Sequence, residues 1–407
     1  MKKINYLNIF FYFLCCASLF ISFYFNEDGS HTPLSSDFRE TWPYVLSLKE
    51  NILSDPTGYT VHYPLHYILL SRLNFIIADP TGIRFVLMII ALFIPFTFFV
   101  VLKKKFQNSD INILFLISLC IFFIPAFRYS AVWANDRITT DIFILTGSYF
   151  FFIYQYYKKE IYNLYVALFF FSLACYSRQF YTVYYALFLI YIFKNCVFKD
   201  FLNLSIYSLF LSLPGFYLLF KLPYLFSGLA YSGNIFNTLL GNVSSLFIYT
   251  LPIITLNFLY NKKKLFNIEK IIIISLLSLI IFFISYLFHD VSTMGQNGGA
   301  FFIFSNLIFK NYIAFYIIFI INLISILIIF EDKFDKLIVF SFVFIFCSMI
   351  VPQSVFEPLF FLYFFLFSKT KFKNIFLENK KVASYLLLYY IIYYLISKTD
   401  ILYKISF

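Results

Sequence analysis

The stretch IRFVLMIIALFIPFTFFVVL, which runs from Ile83 to Leu102, decides the fold class of this chain. About 20 residues of this character cross the hydrocarbon core of a bilayer as one helix. The stretch holds one charge, Arg84, near its start, and three lysines at 103–105 follow its end. Because lysine clusters mark cytoplasmic loops, the stretch predicts a transmembrane helix whose C-terminal end faces the cytoplasm.

The whole chain has the composition of a membrane protein. Of its 407 residues, 62% are hydrophobic and 13% are charged, and the mean hydropathy is +0.84. A soluble domain of this size has too small a core for that much apolar surface, whereas lipid solvates it directly. Apolar runs predict spans at 5–25, 83–102, 111–126, 140–157, 161–177, 180–193, 201–221, 238–260, 271–288, 311–330, 337–350, 359–367 and 382–397. The sequence therefore predicts an all-α polytopic membrane protein with about 11 to 13 transmembrane helices.

Lysine clusters between the apolar runs predict the orientation. With Lys2 and Lys3 in the cytoplasm, alternation of the spans brings the other clusters there too: 103–105, 158–159, 194 with 199, 262–264, 333 with 336, and 369–381. The net charge of +11 is thus topogenic, and we expect no nucleic-acid partner. Residues 1–25 lack a small-residue cleavage site and predict a retained first helix. We expect a protein of the bacterial inner membrane, with a cytoplasmic N-terminus and a periplasmic or extracytoplasmic active site.

The predicted outer face collects the side chains best suited to chemistry. It holds every arginine, histidine and tryptophan of the chain: Arg39, Arg72, Arg84, Arg128, Arg137, Arg178, His31, His62, His66, His289, Trp42 and Trp133. Arginine here runs against the positive-inside tendency, and its planar fork suits phosphate and carboxylate groups. Pairing with local acids is the structural alternative for any single arginine.

The first outer segment, from Asn26 to about Ala78, is the longest polar stretch. An amphipathic run that ends at Leu53 and a short apolar run after His62 predict two helices that lie in the plane of the membrane. The sequence Asp79-Pro80-Thr81-Gly82 then closes the segment as a turn.

Two adjacent carboxylates, Glu27 and Asp28, follow the first helix directly. A carboxyl pair at a membrane boundary suits a general base, or two of the ligands of a divalent cation. The plain alternative is that the two acids cap the first helix or mark its exit from the membrane.

Three motifs follow one another in the first half of the chain. They are Glu27-Asp28 after the first helix, HYPLHYILL at 62–70 with DPTGIRF at 79–85, and RITTD at 137–141. In this order they resemble the membrane glycosyltransferases of the GT-C superfamily, which take sugars from polyprenyl-phosphate carriers. That superfamily has a modified DxD motif, a His-Pro-Pro-Leu-Tyr-Tyr stretch before an Arg-led helix and, in its protein-mannosyltransferase-like branch, an Arg and an Asp at a helix start.

Further motifs are similar to the dolichyl-phosphate-glucose α-1,2-glucosyltransferase family of that superfamily. Its acidic pair is followed three residues later by histidine, and residues 27–31, EDGSH, have this spacing with the two acids exchanged. Ser177-Arg178-Gln179 resembles the family's Phe-Arg-Gln motif. Glu357-Pro358 resembles its C-terminal Glu-Pro-Arg-Tyr-Phe, although Leu359 stands in place of the arginine.

The resemblance implies an inverting hexosyl transfer from a polyprenyl-phosphate sugar to a lipid-linked glycan or cell-envelope acceptor. It implies a GT-C-like catalytic module at 1–200, including the outer loop 26–82, and more variable transmembrane helices at 201–407. Glu27 or Asp28 is then the catalytic base, and a divalent metal at these two acids stays open, with no other cofactor expected. Donor phosphate contacts are expected from Arg178, Arg137 and Arg128, and substrate contacts from His31, His62, His66, Gln179, Trp133, Asp141 and Glu357.

Two other functions stay open. An oligosaccharide repeat-unit polymerase of the O-antigen or capsule type is also aromatic-rich and has many spans, but its enlarged outer loop usually comes later in the chain. A transporter or lipid flippase needs polar sites near the bilayer midplane, whereas most charges of this chain lie at one predicted rim.

Overall fold

A computed structural model describes residues 4–26, 37–54, 62–221, 234–260, 268–289, 299–345 and 359–398. Every regular element in these ranges is a helix, which confirms the all-α prediction for the described residues. The chain divides into two compact units, Met1–Gly228 and Leu229–Phe407. The division into a catalytic module at 1–200 and further helices at 201–407 stays a prediction.

Ten α-helices of the first unit are described. They are α1 Tyr6–Tyr24, α2 Asp37–Glu50, α3 Leu65–Leu73, α4 Pro80–Lys105, α5 Ile111–Leu119, α6 Pro125–Val132, α7 Asp136–Tyr156, α8 Tyr162–Ser177, α9 Thr182–Asn195 and α10 Phe198–Lys221. Short 3-10 helices follow α5 at Cys120–Phe123 and α8 at Gln179–Tyr181. Helices α2 and α3 coincide with the two helical runs predicted in the first outer segment.

Eight α-helices of the second unit are described. They are α11 Ile235–Tyr260, α12 Ile268–Phe288, α13 Gly299–Phe309, α14 Ile313–Ile329, α15 Lys333–Ile345, α16 Leu359–Leu366, α17 Asn374–Glu378 and α18 Lys380–Lys398. Helix α13 lies between the predicted spans 271–288 and 311–330, where no span is predicted. Its 11 residues are apolar but too few to cross a bilayer.

Five described helices are long and apolar enough to cross a membrane. They are α1, α4, α10, α11 and the 271–288 part of α12, and α5 with α6 adds a sixth if this pair, bent by 66°, is one broken span. Several of them carry their apolar residues outward: Phe210 and Phe220 of α10 are 68% and 85% exposed. Contiguous apolar surface of this kind is not stable in water, and it suggests an integral membrane protein. Every predicted span overlaps a described helix, but the remaining helices are shorter or more polar.

Polar caps set the helix boundaries. The Asp79 carboxylate accepts hydrogen bonds from the backbone nitrogens of Thr81 and Gly82 at 3.2 and 2.8 Å, and Pro80 is the first residue of α4. Asp-Pro is therefore a helix start here, because proline at the first position needs no N–H partner. Asn26 follows the C-terminal end of α1. Its φ of 50° is the left-handed conformation with which asparagine often ends a helix.

Helices α7 and α8 form a close antiparallel pair. Gly147 of α7 lies against α8 so tightly that an added Cβ would stand 2.9 Å from the Phe171 ring and 3.1 Å from the Ala167 carbonyl oxygen. A small residue at this crossing lets the two backbones approach. On the far side of α8, the Tyr176 hydroxyl donates to Leu211 O at 2.5 Å and accepts from Gly215 N at 3.0 Å, which attaches α10.

The two ends of the first unit differ in their cations. At one end, named here the lysine end, Asn5 N donates to Asn112 Oδ1 at 2.8 Å, and Lys104 Nζ lies 4.3 Å from the centre of the Tyr157 ring. The opposite end, named the arginine end, is formed by the C-termini of α1, α6 and α8 and the N-termini of α4 and α7. It brings together Arg84 and Arg178 with the polar residues described next.

Candidate functional site

A buried ion pair lies at the arginine end. Arg178 Nε stands 3.2 Å from Asp136 Oδ2, with side chains 8% and 1% exposed. His62 joins them, because its Nε2 lies 4.0 Å from the same oxygen and 3.3 Å from Arg178 Nη2. The His62 side chain is 20% exposed and is the most accessible of the three. Low dielectric around Asp136 and Arg178 makes each charge depend on the other.

Helix ends position the pair. Asn135 caps α7 by accepting from Arg137 N at 3.3 Å, so Asp136 stands in the first turn, where the helix dipole favours a negative charge. Arg178 ends α8 in an extended conformation (φ −146°, ψ 115°). The next residue, Gln179, accepts a hydrogen bond from Tyr63 N at 3.4 Å and so ties the segment before α3 to the end of α8.

His66 clamps α3 to the start of α7. Its Nε2 lies 2.9 Å from Ala134 O and its Nδ1 lies 2.9 Å from Thr139 Oγ1. A carbonyl oxygen only accepts, so we assign the proton to Nε2, and Nδ1 then accepts from the threonine hydroxyl. Complete burial lowers the pKa of His66 and outweighs the opposing effect of Asp136. His66 is therefore a neutral clamp whose two ring nitrogens are both engaged.

A second cationic group lies beside the first. The Arg84 guanidinium carbon stands 3.9 Å from the centre of the Trp133 ring, and that of Arg39 stands 5.7 Å from it. Arg84 Nε donates to Val132 O at 3.0 Å and Nη2 donates to Asn26 Oδ1 at 3.0 Å. Arg84 therefore connects the end of α1, which directly precedes Glu27, to the end of α6.

A tight turn joins the two groups. Ala134 follows Trp133 and precedes the cap of α7, and its φ of 50° lies in the left-handed region. For a residue with a Cβ this conformation costs about 1 kcal/mol or more. The hydrogen bond from His66 to Ala134 O and one from Asn135 N to Ser130 O (3.0 Å) hold it there. Strain of this kind persists only where surrounding contacts determine the backbone.

Arg128, expected from the sequence to contact the donor phosphate, takes a different place. It is 2% exposed, and its terminal nitrogens donate to Ser18 Oγ (3.0 Å), Ser18 O (2.9 Å) and Ser22 Oγ (2.6 Å). These hydrogen bonds fasten α6 to α1. We therefore interpret Arg128 as a residue of helix packing.

Two further predicted residues, Arg137 and Asp141, lie within the buried group. Arg137 is 6% exposed and Asp141 is fully buried one turn further along α7. Asp141 interacts electrostatically with Arg137 and Arg178. Arg137 and Asp141 thus extend the buried polar group along α7.

The structure brings together seven residues that the sequence analysis proposed: His62, His66, Trp133, Arg137, Asp141, Arg178 and Gln179. Glu27, Asp28, His31 and Glu357 lie outside the described residues. Sequence reasoning missed Asp136, Arg84, Arg39 and Thr139 as members of the site. Asp136 had a usable signal, because Asn-Asp before an apolar run marks a helix start with an acid in its first turn.

Metal binding has no support from the described residues. No group of three or more His, Cys, Asp or Glu side chains in the described ranges is placed to hold an ion. Asp136 is already paired with Arg178, and this cationic neighbour repels a metal ion. The expected metal ligands, Glu27 and Asp28, lie outside the described residues.

The arrangement is suited to an anionic polar substrate at the end of a helix bundle. It offers an accessible imidazole at His62, an aromatic face at Trp133 and guanidinium groups at Arg84 and Arg39. Comparison of the chain with protein families, with curated proteins and with solved structures finds no match.

Proposed function

We propose that this chain is an integral membrane glycosyltransferase of the GT-C type. It transfers a hexose from a polyprenyl-phosphate donor to a lipid-linked glycan or cell-envelope acceptor, with inversion at the anomeric carbon. The active site lies on the non-cytoplasmic side of a bacterial inner membrane, and the chain crosses that membrane about 11 to 13 times.

One observation carries the proposal: the arginine end gathers residues from α1, α3, α4, α6, α7 and α8. Asn26 contacts Arg84, Arg84 stacks on Trp133, and the turn after Trp133 leads to Asp136 and Arg178. Residue 27 follows Asn26 directly, so the chain enters the acidic pair at the same end of the first unit as Arg178. A carboxylate base and a cationic phosphate site at one end are what transfer from a lipid phosphate requires.

The proposed step is written with groups of the chain itself, and a divalent metal at Glu27 and Asp28 stays open. The acceptor hydroxyl oxygen attacks the anomeric carbon, and the bond from that carbon to the phosphate oxygen breaks. The hydroxyl proton passes to the carboxylate of Glu27 or Asp28, and polyprenyl phosphate leaves with the electron pair of the broken bond. Guanidinium groups stabilise the negative charge that grows on the leaving phosphate.

The described residues support separate roles in this step. Asp136 fixes the direction of Arg178, because the two are 3.2 Å apart in a buried setting. His62 lies against both and is partly exposed, so it is placed to orient a hydroxyl of the sugar. His66 has both nitrogens engaged and acts on the substrate only through the position of the α6–α7 turn.

The test is a transfer assay with the purified full-length protein in proteoliposomes. A panel of radiolabelled polyprenyl-phosphate hexoses serves as donor, and glycolipids extracted from bacterial membranes serve as acceptors. We expect one donor to release polyprenyl phosphate together with a labelled glycolipid. Glu27→Gln or Asp28→Asn should abolish this transfer, while the protein remains folded and inserted.

Asp110→Asn is the matched control for these two variants. Asp110 caps α5 at the lysine end by accepting from Asn112 N at 2.9 Å, and asparagine keeps that cap. Full transfer by both Glu27→Gln and Asp28→Asn, or no transfer from any hexose donor by the unchanged protein, would contradict the proposal.

The alternatives gain less support. In α11, Asn242 Nδ2 donates to Val343 O at 2.7 Å, and Asn322 of α14 bonds to Val243 O and Thr250 Oγ1. These buried amides thus join helices to one another, as polar residues of membrane helices often do, rather than line a path for a transported solute. A repeat-unit polymerase differs in its donor, a lipid diphosphate oligosaccharide, and the same assay distinguishes it.

A further inference from the structure

Arg84 is a buried arginine without an acidic partner among the described residues. It is 7% exposed, and its two hydrogen bonds go to the neutral oxygens Val132 O and Asn26 Oδ1. Nothing in the described part of the chain accepts a hydrogen bond from its third nitrogen, Nη1. A buried cation without a counter-ion is costly, and the surrounding fold nevertheless holds this guanidinium in one place.

A second cation lies close to the first. Arg39 is exposed, and its guanidinium stands over the same Trp133 ring that Arg84 contacts. The two like charges act on each other electrostatically. Stacking on the indole face offsets part of the repulsion, and an anion placed between the two guanidinium groups would be attracted by both.

The surface next to Arg84 is aromatic and faces outward. Arg84 stands 5.2 Å from the centre of the Phe23 ring, and the neighbouring Phe85 packs against Phe20 and Phe23 at 6.2 and 5.8 Å. Phe20 is 38% exposed and Phe85 is 43% exposed. A ligand with a phosphate head and an apolar isoprenoid tail matches a cation beside such a surface.

We propose that Arg39, Arg84 and Trp133 form the binding site for the phosphate group of a polyprenyl phosphate lipid. This inference rests on the proposed function and assigns its leaving-group phosphate to residues other than those expected from the sequence. Arg84 would donate to the phosphate from Nη1, and Arg39 would donate from its guanidinium group. The Trp133 ring lies against both guanidinium groups and positions them. The tail then extends along the aromatic surface of α1 and α4.

The other arginines fit this role less well. Arg178 is already paired with Asp136 at 3.2 Å, and a phosphate that entered there would meet Asp136 as a like charge. Both terminal nitrogens of Arg128 already donate hydrogen bonds to Ser18 and Ser22 of α1. Arg84 differs from both because its buried charge has no acidic partner in the described ranges.

The chain provides its own reporter for a binding test. It has two tryptophans, and Trp42 stacks on Phe38 with ring centres 5.3 Å apart. Trp42→Phe keeps an aromatic ring there and leaves Trp133 as the single tryptophan, which is excited selectively at wavelengths that tyrosine does not absorb. In detergent, the full-length Trp42→Phe protein is titrated with farnesyl phosphate, with farnesol and with inorganic phosphate, and the Trp133 emission is recorded.

Farnesyl phosphate should change the Trp133 emission with saturation, whereas farnesol should not. Arg39→Gln and Arg84→Gln should each weaken binding of farnesyl phosphate by about tenfold or more, the loss expected for a charge-assisted contact. Because Arg84 is buried, Arg84→Gln is also checked for folding by gel filtration. The exposed Arg39→Gln keeps the test decisive if that variant fails to fold.

Arg72→Gln is the matched control, because Arg72 also stands over a phenylalanine ring, at 5.5 Å, and is exposed. It should bind farnesyl phosphate as tightly as the parent. Equal responses to farnesol and farnesyl phosphate, or unchanged affinity in Arg39→Gln, would overturn the inference. Inorganic phosphate binding as tightly as farnesyl phosphate would show a free-phosphate site and overturn the lipid assignment.

This titration requires no turnover, so its result is separate from the transfer assay. Tight, arginine-dependent binding of farnesyl phosphate by a protein without transfer activity would support the site and contradict the glycosyltransferase proposal. Sugar transfer by a protein whose Trp133 emission does not respond to farnesyl phosphate would support the glycosyltransferase proposal and contradict the phosphate site.

Discussion

Arg178 Nε and Asp136 Oδ2 lie 3.2 Å apart at the junction of α8 and α7, with both side chains almost fully buried. The two residues end and begin neighbouring helices, so their contact fixes the arginine end of the α7–α8 pair. Because both side chains are buried, bulk water cannot solvate the charge of Arg178 or Asp136 if the other residue is lost. The contact is therefore both a structural link and the support of the candidate site.

Loss of one partner of this pair should be costly. We expect Asp136→Asn or Arg178→Gln to lower the free energy of unfolding by about 3 to 5 kcal/mol, because each leaves a buried charge alone. The double variant should be more stable than either single variant. Thermal unfolding in detergent checks this order. Glu160→Gln is the control, since Lys158 and Glu160 pair on the surface, where loss costs about 1 kcal/mol or less.

The stability of the protein should depend on the protonation of His66. Burial lowers its folded pKa below the unfolded value of about 6.5, so the unfolded chain binds the proton more readily. The contribution of His66 is therefore complete above about pH 6.5 and is lost as the pH falls towards the folded pKa. Melting temperatures measured from about pH 7.5 down to about pH 5 should show this fall.

His66→Gln should flatten that profile. Its amide can donate to Ala134 O and accept from Thr139 as the neutral imidazole does, but it does not titrate. His289→Gln, in the second unit, controls for the loss of a histidine elsewhere. An unchanged acid sensitivity in His66→Gln would show that another group is responsible.

Arg128 should matter for the attachment of α1. Arg128→Met keeps the length of the side chain but removes its hydrogen bonds to Ser18 and Ser22, and we expect a loss of about 2 to 3 kcal/mol in stability. Arg72→Met, at an exposed arginine, should lose less than about 0.5 kcal/mol. Equal melting temperatures of the two variants would argue against a packing role for Arg128.

The α7–α8 crossing should not accept a side chain at Gly147. Alanine there would press on the Phe171 ring and on the Ala167 carbonyl, and we expect a steric cost of about 1 to 3 kcal/mol. Gly215→Ala is the comparison, because its Cβ would meet only the Tyr176 ring, at 3.3 Å. Both variants gain the same helix propensity, so the difference in their melting temperatures measures the close approach.

The helices were largely predictable because apolar runs bounded by polar caps and lysines leave little choice. The predicted span 83–102 lies within α4, which starts three residues earlier because Asp79 and Pro80 act as a cap rather than a closing turn. The bend between α5 and α6 and the helix α13 were not predicted. The bend falls at Pro125, the first residue of α6, which follows the extended Ile124, and α13 has too few residues for its apolar run to count as a span.

The site was predictable in composition but not in pairing. The rule that placed the arginines at one face also brings Arg178 and His62 together, because helix alternation fixes which ends meet. The partners of Arg84 lie about 50 residues along the chain, at Val132 and Trp133, and no local pattern links such positions. Asp136 lies one residue before the motif RITTD at 137–141 and is not part of any motif of the resemblance.

The left-handed Ala134 has a consequence for the whole of this end. Ala134 is the only residue between Trp133 and Asn135, the cap of α7. The C-terminal end of α6 and the first turn of α7 therefore move together. In the proposed phosphate site, a lipid that displaces the indole would therefore also displace the Ala134 carbonyl, which bonds to His66, and the first turn of α7, which carries Asp136. The proposed function would in this way couple binding of the lipid phosphate to the position of the sugar.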